Sequence, residues 1–183
     1  MRDEKRYLEF TIRGVAVDPR NQAPVLLLQD TGRRLLLPIW IGHYEAAAIL
    51  GHLEGQTTPR PMTHDLTMKI IGALEADVVG VDIRAIDGGT FLADLRLVTA
   101  AGAEVVLDSR PSDAIALAVR ARATIRVEAA VLSAAQPLDE TAEPAREAGP
   151  QALFVADDDT EGRARLAALL EDMEPEDFGE FET

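Results

Sequence analysis

The sequence predicts a single α+β domain in which hairpins alternate with helices around a mixed or antiparallel sheet. Three observations carry this. Alternating apolar stretches end repeatedly at Gly- or Asp-containing turns, the pattern of paired strands. Ala-rich segments with helical spacing follow two of those hairpins. The 183 residues, 47% of them apolar, suffice for one good core and not for two.

Taken in order, Tyr7–Val17 alternates apolar and polar in part and reads as a first strand, closed by Asp18-Pro19-Arg20-Asn21. Val25–Leu28 and Leu35–Ile41 form a hairpin about Asp30-Thr31-Gly32. A helix is expected from His43 to Leu53, with Gly42 as its cap and Gly55 as its stop. Residues 56–61, with prolines at 59 and 61, form a rigid connector. Thr63 then caps a second helix to about Leu74, whose Leu66, Ile70, Ile71 and Leu74 predict a core-facing apolar stripe. Val78–Ile86 and Thr90–Val98 form a hairpin about Asp87-Gly88-Gly89. After a turn at Ala100-Ala101-Gly102, Glu104–Leu107 is a further strand, and Pro111 opens a helix to about Arg122, because its missing N–H would be unpaired there anyway. Ile125–Val127 is a last short strand. Trp40 and the Pro-flanked junctions read as core and turn rigidity, and the alanines at 46–48, 114, 116 and 118 as surfaces for close helix packing.

Two of these segments resemble each other. Leu35–Leu50 (LLLPIWIGHYEAAAIL) and Val105–Val119 (VVLDSRPSDAIALAV) each run from a strand through a short linker into an Ala-rich helix opened by an acid, Glu45 or Asp113. The shared order of strand, turn, strand, helix points to an internal duplication, with the second unit two residues shorter between turn and acid.

Charge divides the chain. Residues 1–132 carry 17 acids and 15 bases, residues 133–183 carry 15 acids and 3 bases, and the total is −14. Residues 1–132 are read as the domain, 133–156 as an Ala/Glu/Pro linker, and 157–183 as an acidic tail with an amphipathic helix over 161–173 that either docks on the domain or offers Leu/Phe anchors to a protein partner. A field this negative repels polyanions at long range, so nucleic acid would need a local basic surface. With no cysteine there is no disulfide framework or thiolate chemistry, and no apolar run approaches a membrane span. A cytoplasmic protein without membrane contact or organic cofactor is expected. Unpaired sheet edges would make a homo-oligomer unsurprising.

Leu37-Pro38-Ile39-Trp40-Ile41-Gly42 with Glu45-Ala46, then Arg60-Pro61-Met62-Thr63-His64-Asp65-Leu66, then Gly89-Thr90-Phe91, then Arg110-Pro111-Ser112-Asp113 running on to Ala118, together resemble the bifunctional nuclease family over roughly residues 8 to 133. The acidic tail ending in a Pro-x-Asp-Phe segment is similar to that of actinobacterial members. Members are described as acting on both RNA and DNA, and the resemblance implies that activity here. One departure is Leu92, where the family usually has tyrosine; in an alternating strand, a packing role for that position is favoured.

Phosphodiester hydrolysis needs an activated water or hydroxyl, a proton for the leaving oxygen, and positive charge where the phosphorane develops. Glu45, His64, Asp65 and Asp113 are the catalytic candidates, and Arg60, Arg110 and Ser112 the candidates for phosphate contact. Glu45, Asp108 and Asp113 are the carboxylates for a divalent cation, Mg²⁺ or Mn²⁺, which would relieve the conflict between Asp113 and an incoming phosphate. The alternative reading is that Glu45 and Asp113, each third in its helix, only satisfy free amides and the helix dipole. The chain would then be a non-catalytic regulatory or assembly module whose tail binds a protein. His64 and Asp65 are neighbours on a helix and need not touch. His52, seven residues after Glu45, returns to the face of Glu45.

Overall fold

Two three-stranded meanders joined by one central strand make the sheet of this protein, for which a computed structural model describes residues 6–18, 21–135, 138–139 and 151–155. The first meander is β1 (Tyr7–Val17), β2 (Pro24–Asp30) and β3 (Leu35–Trp40); the second is β4 (Ala76–Asp87), β5 (Thr90–Thr99) and β6 (Glu104–Ser109). Between them lies β7 (Thr124–Glu128), antiparallel to β1 and parallel to β4. The parallel pair needs a crossover, which the β5–β6 hairpin and α3 (Pro111–Ala121) supply. The sheet order is β6-β5-β4-β7-β1-β2-β3, extended at β3 by the short β8 (Leu138–Asp139). One edge of β1 is shared: β7 pairs with Tyr7–Phe10, and β9 (Gln151–Val155) pairs with Gly14–Val17. The fold is thus α+β with a mixed sheet. Both strand–turn–strand–helix units have the expected element order, and β8 and β9 fall within the stretch read as linker. The expected helix at 161–173 lies outside the described residues.

Turn chemistry sets the registers. Asp30 is buried, and its carboxylate accepts hydrogen bonds from the amides of Gly32, Arg34 and Leu35 at 3.1, 2.7 and 2.7 Å, which folds the β2–β3 turn around it. Gly88 and Gly89 both have positive φ, 54° and 83°, as a tight two-residue hairpin turn requires.

Three helices pack on one face of the sheet: α1 (His43–Leu53), α2 (Thr63–Ala73) and α3. The central one is α3, whose Ala114, Ile115, Ala116 and Ala118 are fully buried against a layer including Val81, Ile83, Leu95 and Leu97. Each large aliphatic side chain so buried contributes roughly 1.5–3 kcal/mol. The alanines let α1 and α3 approach until the Arg120 guanidinium of α3 donates to the Ala48 carbonyl of α1 at 3.2 Å. A fourth helix, α4 (Ala129–Ala135), buries Val131 and Leu132. The opposite face of β4 to β7 is polar. There Arg126 pairs with Asp82 through two 2.7 Å bonds, Arg84 bridges Asp94 at 2.7 Å and Asp108 at 2.6 Å, and Arg96 holds Glu104 at 2.8 Å.

Two packing expectations are overturned. The α2 stripe does not face the core: Leu66, Ile70 and Leu74 are 53%, 50% and 72% exposed, and only Ile71 is buried. The helix carries two apolar faces and lies at the margin of the helical layer, with α3 on one side. Its inner contacts come from Met68 and Ile71. Trp40 is likewise outside the core, half-exposed, with its indole N–H donating to Asp18 at 3.1 Å.

Candidate active site

Each helix of the layer has an acid as its third residue: Glu45 after Gly42 in α1, Asp65 after Met62 in α2, Asp113 after Arg110 in α3. The N-termini of all three line one cleft of about 500 Å³, which runs along α1 past Ala48 and Gly51 to His52. Three helix starts facing one space concentrate the positive ends of three backbone dipoles there.

The side chains at the mouth are linked. His64 Nε2 lies 3.2 Å from Asp113 Oδ1. Arg110 Nε donates to Asp113 Oδ2 at 2.6 Å, and Arg110 Nη1 lies 2.9 Å from Glu45 Oε1. The guanidinium therefore bridges the two acids that the similar strand–helix units supply. Gly42 belongs to this arrangement, because a Cβ there would collide with the Glu45 carboxylate folded back over it.

Asp65 turns the other way. Its Oδ2 accepts the Met62 amide at 3.0 Å, the capping bond expected of a third-position acid, while Oδ1 accepts from Arg120 Nε at 2.7 Å. Arg120 has a nearly buried side chain and also donates to the carbonyls of Ala116 and Ala48 at 2.8 and 3.2 Å. His64 and Asp65, adjacent in sequence, thus contact opposite ends of α3. Asp113 and Arg120 are separated by seven residues, about 10 Å of helical rise.

Burial works to raise the Asp113 carboxyl, but the hydrogen bonds from Arg110 and His64 outweigh it and hold the acid below its usual range. Asp65 is held low chiefly by the Arg120 hydrogen bond. The Arg110 guanidinium is driven up by Asp113 and then by Glu45, so it stays charged. His52 is pushed down by burial and by the charge of Arg120, which favours the neutral ring.

The structure brings Glu45, His64, Asp65, Arg110 and Asp113 into one cleft lining. Ser112 is buried beneath the start of α3 and Arg60 lies exposed on the connector; neither lines the cleft. Asp108 is opposite Asp94 in the β5–β6 ladder and bonded to Arg84, on the sheet face turned away from the helices, so it does not join Glu45 and Asp113. Leu92 pairs with Ala85 and alternates with Ala93 and Leu95 of the inner layer, so its side chain also lies on the far face. Sequence reasoning missed Arg120 as a cleft residue. The signal was its spacing of seven from Asp113, which places both on one side of α3.

Comparison with known proteins shows the family of this chain. The model of the bifunctional nuclease domain matches residues 25–139, from β2 through every helix that builds the cleft. Two uncharacterized proteins of Mycobacterium tuberculosis, from strains CDC 1551 / Oshkosh and H37Rv, are each 38% identical over 172 residues, covering 93% of this chain and 97% of their own length. No described helix is long and apolar enough to cross a membrane. Domain match and long relatives together cover both the cleft and its scaffold, and the chain belongs to the bifunctional nuclease domain family.

Proposed function

We propose that this protein hydrolyses phosphodiester bonds of DNA and RNA with low sequence specificity, and that the reaction takes place at the mouth of the cleft. The observation that carries the reading is the His64–Asp113–Arg110–Glu45 chain, set among three helix N-termini. An ionised Asp113 can only accept, so the His64 Nε2 facing it carries a proton and Nδ1 of the neutral ring is the atom that takes one from a water or hydroxyl. Asp113 thus fixes the tautomer and steadies the imidazolium once formed. Arg110 uses Nε and one Nη on its two acids and is two-thirds exposed, so the remaining N–H groups are the donors for a phosphate oxygen. The helix-start amides supply further positive potential where the phosphorane develops.

A divalent cation would be held by Glu45 and Asp113, where it would neutralise the acids and polarise the phosphate. Both acids are engaged by Arg110, and among the described residues no three His, Asp or Glu side chains are arranged to hold a metal ion. A cation there has to displace the guanidinium.

The test is cleavage of labelled single- and double-stranded DNA and RNA with Mg²⁺, Mn²⁺ or chelator, by wild type and by Asp113→Asn, Glu45→Gln and His64→Ala, with folding followed by circular dichroism. Activity that falls in folded His64 and Asp113 variants and survives chelator supports the dyad. Loss with chelator assigns the acids to a metal instead. No cleavage by wild type under any condition sinks the enzyme reading and leaves these residues as an ion-pair scaffold, with a protein partner for the tail as the next hypothesis.

A further inference from the structure

Among the described residues ten large apolar side chains are exposed, and seven of them fall in two places. Met62, Leu66, Ile70 and Leu74 recur every four residues and form a row along the outside of α2. Val105, Val106 and Leu107 are consecutive in β6, the terminal strand of the sheet among the described residues, and are 37%, 53% and 45% exposed. The end of α2 lies beside the turn that leads into β6, since the Ala100 amide in the β5–β6 turn donates to the carbonyl of Glu75, just past the end of α2, at 2.8 Å. The two places also share a face: Val105 and Leu107 sit opposite Leu97 and Leu95, whose side chains point into the layer beneath the helices.

Open edges are normally guarded by unpaired charges, proline or a bulge. The acids of β6 do not serve here. Glu104 is held by Arg96 at 2.8 Å and Asp108 by Arg84 at 2.6 Å, so the charges that would repel a second edge are neutralised within the sheet. The chain's own acidic tail fits the row poorly, because Lys69 is the one cation between residues 62 and 75 and the row ends at Glu75. A second copy of the same neutral, apolar edge fits it well. A stable interface removes about 800 Å² per partner from water, more than a six-residue strand supplies, and the α2 row adds to it.

We propose that β6 pairs antiparallel with β6 of a second copy across a twofold axis, giving one sheet through a homodimer. Symmetry then places both α2 rows and both Val105/Leu107 pairs on the same side of the joined sheet. Met62 also borders the cleft, but Leu66, Ile70, Leu74 and β6 do not line it, so this inference does not depend on the nuclease reading.

The test is sedimentation of the full chain from about 1 to 100 µM, where mass action separates monomer from dimer, with amide exchange followed over residues 66–74 and 104–109. A dimer of twice 19.8 kDa is expected, with protection of both segments that rises with concentration. Val105→Lys/Leu107→Lys should weaken association at least 100-fold while circular dichroism is unchanged. If that variant does not fold, Leu66→Lys/Ile70→Lys provides the same readout from the exposed helix row. A monomer at every concentration, a dimer indifferent to the folded variants, or protection of 66–74 that ignores concentration because the tail covers it would each overturn the proposal.

Discussion

Asp65 and Asp113 are each the third residue of an eleven-residue helix, yet Asp65 closes its own helix start whereas Asp113 leaves its amides and faces the cleft. What separates them is the neighbouring cation. Asp65 meets Arg120, nearly buried and fixed by two carbonyls, so its ion pair belongs to the scaffold that seats α2 on α3 and α1. Asp113 meets Arg110, exposed and shared with Glu45, together with an imidazole from α2. One local signature therefore yields one acid tied into the scaffold and one at the mouth of the cleft, and the distinction turns largely on Arg120 and His64, each remote in sequence from the acid it meets.

The largest effect that sharpens the contrast is on cleavage. His64→Ala should lower the cleavage rate by about 10²–10⁴, the range for loss of a general base. Asp113→Asn should fall at the lower end of that range while the folded protein persists. Equal activity in wild type and both variants would break the functional half of the comparison. Next comes Arg120→Met, which strands Asp65 and two carbonyls around a buried position and should cost about 3–4 kcal/mol in urea unfolding. A stable Arg120→Met protein with lost activity would move Arg120 from scaffold to chemistry. Asp65→Asn is gentler, with about 1–2 kcal/mol expected from the weakened cap and ion pair and cleavage close to wild type at temperatures where it is folded.

The strands were legible because period-two alternation and Gly-rich turns are local signals; the Asp87-Gly88-Gly89 turn and the His43–Leu53 helix stand where they were expected. The inward stripe of α2 was not. Periodicity shows that Leu66, Ile70 and Leu74 share a side, but which side meets the core depends on where α3 lies. The site was legible in part for the same reason. The acids at two helix starts were visible, and so was His64, but the contact between His64 and Asp113 spans 49 positions and has no local trace. Asp108 lies five residues from Asp113 in sequence, yet strand alternation sends its side chain to the far face of the sheet, to Arg84.

The smallest effect concerns acid stability. Asp65 and Asp113 both have carboxyls depressed in the folded state. Above the ordinary carboxylate value of about 4, both states are ionised and the stabilisation is complete; as pH falls through that value toward the lower folded ones, the unfolded chain takes up protons first and stability declines. Urea midpoints measured from about pH 6 down to pH 3 should therefore decline less steeply in Asp65→Asn and in Asp113→Asn than in wild type. Asp65 should account for more of the slope, because its cation is buried whereas Arg110 is open to solvent that screens the pair. Asp30 is depressed too, against the upward push of its burial, through hydrogen bonds from three amides and the charge of Arg34, so both variants should retain a residual acid dependence. A slope unchanged in Asp65→Asn would mean that the Arg120 bond is not kept in solution, and the contrast between the two acids would then rest on the cleft alone.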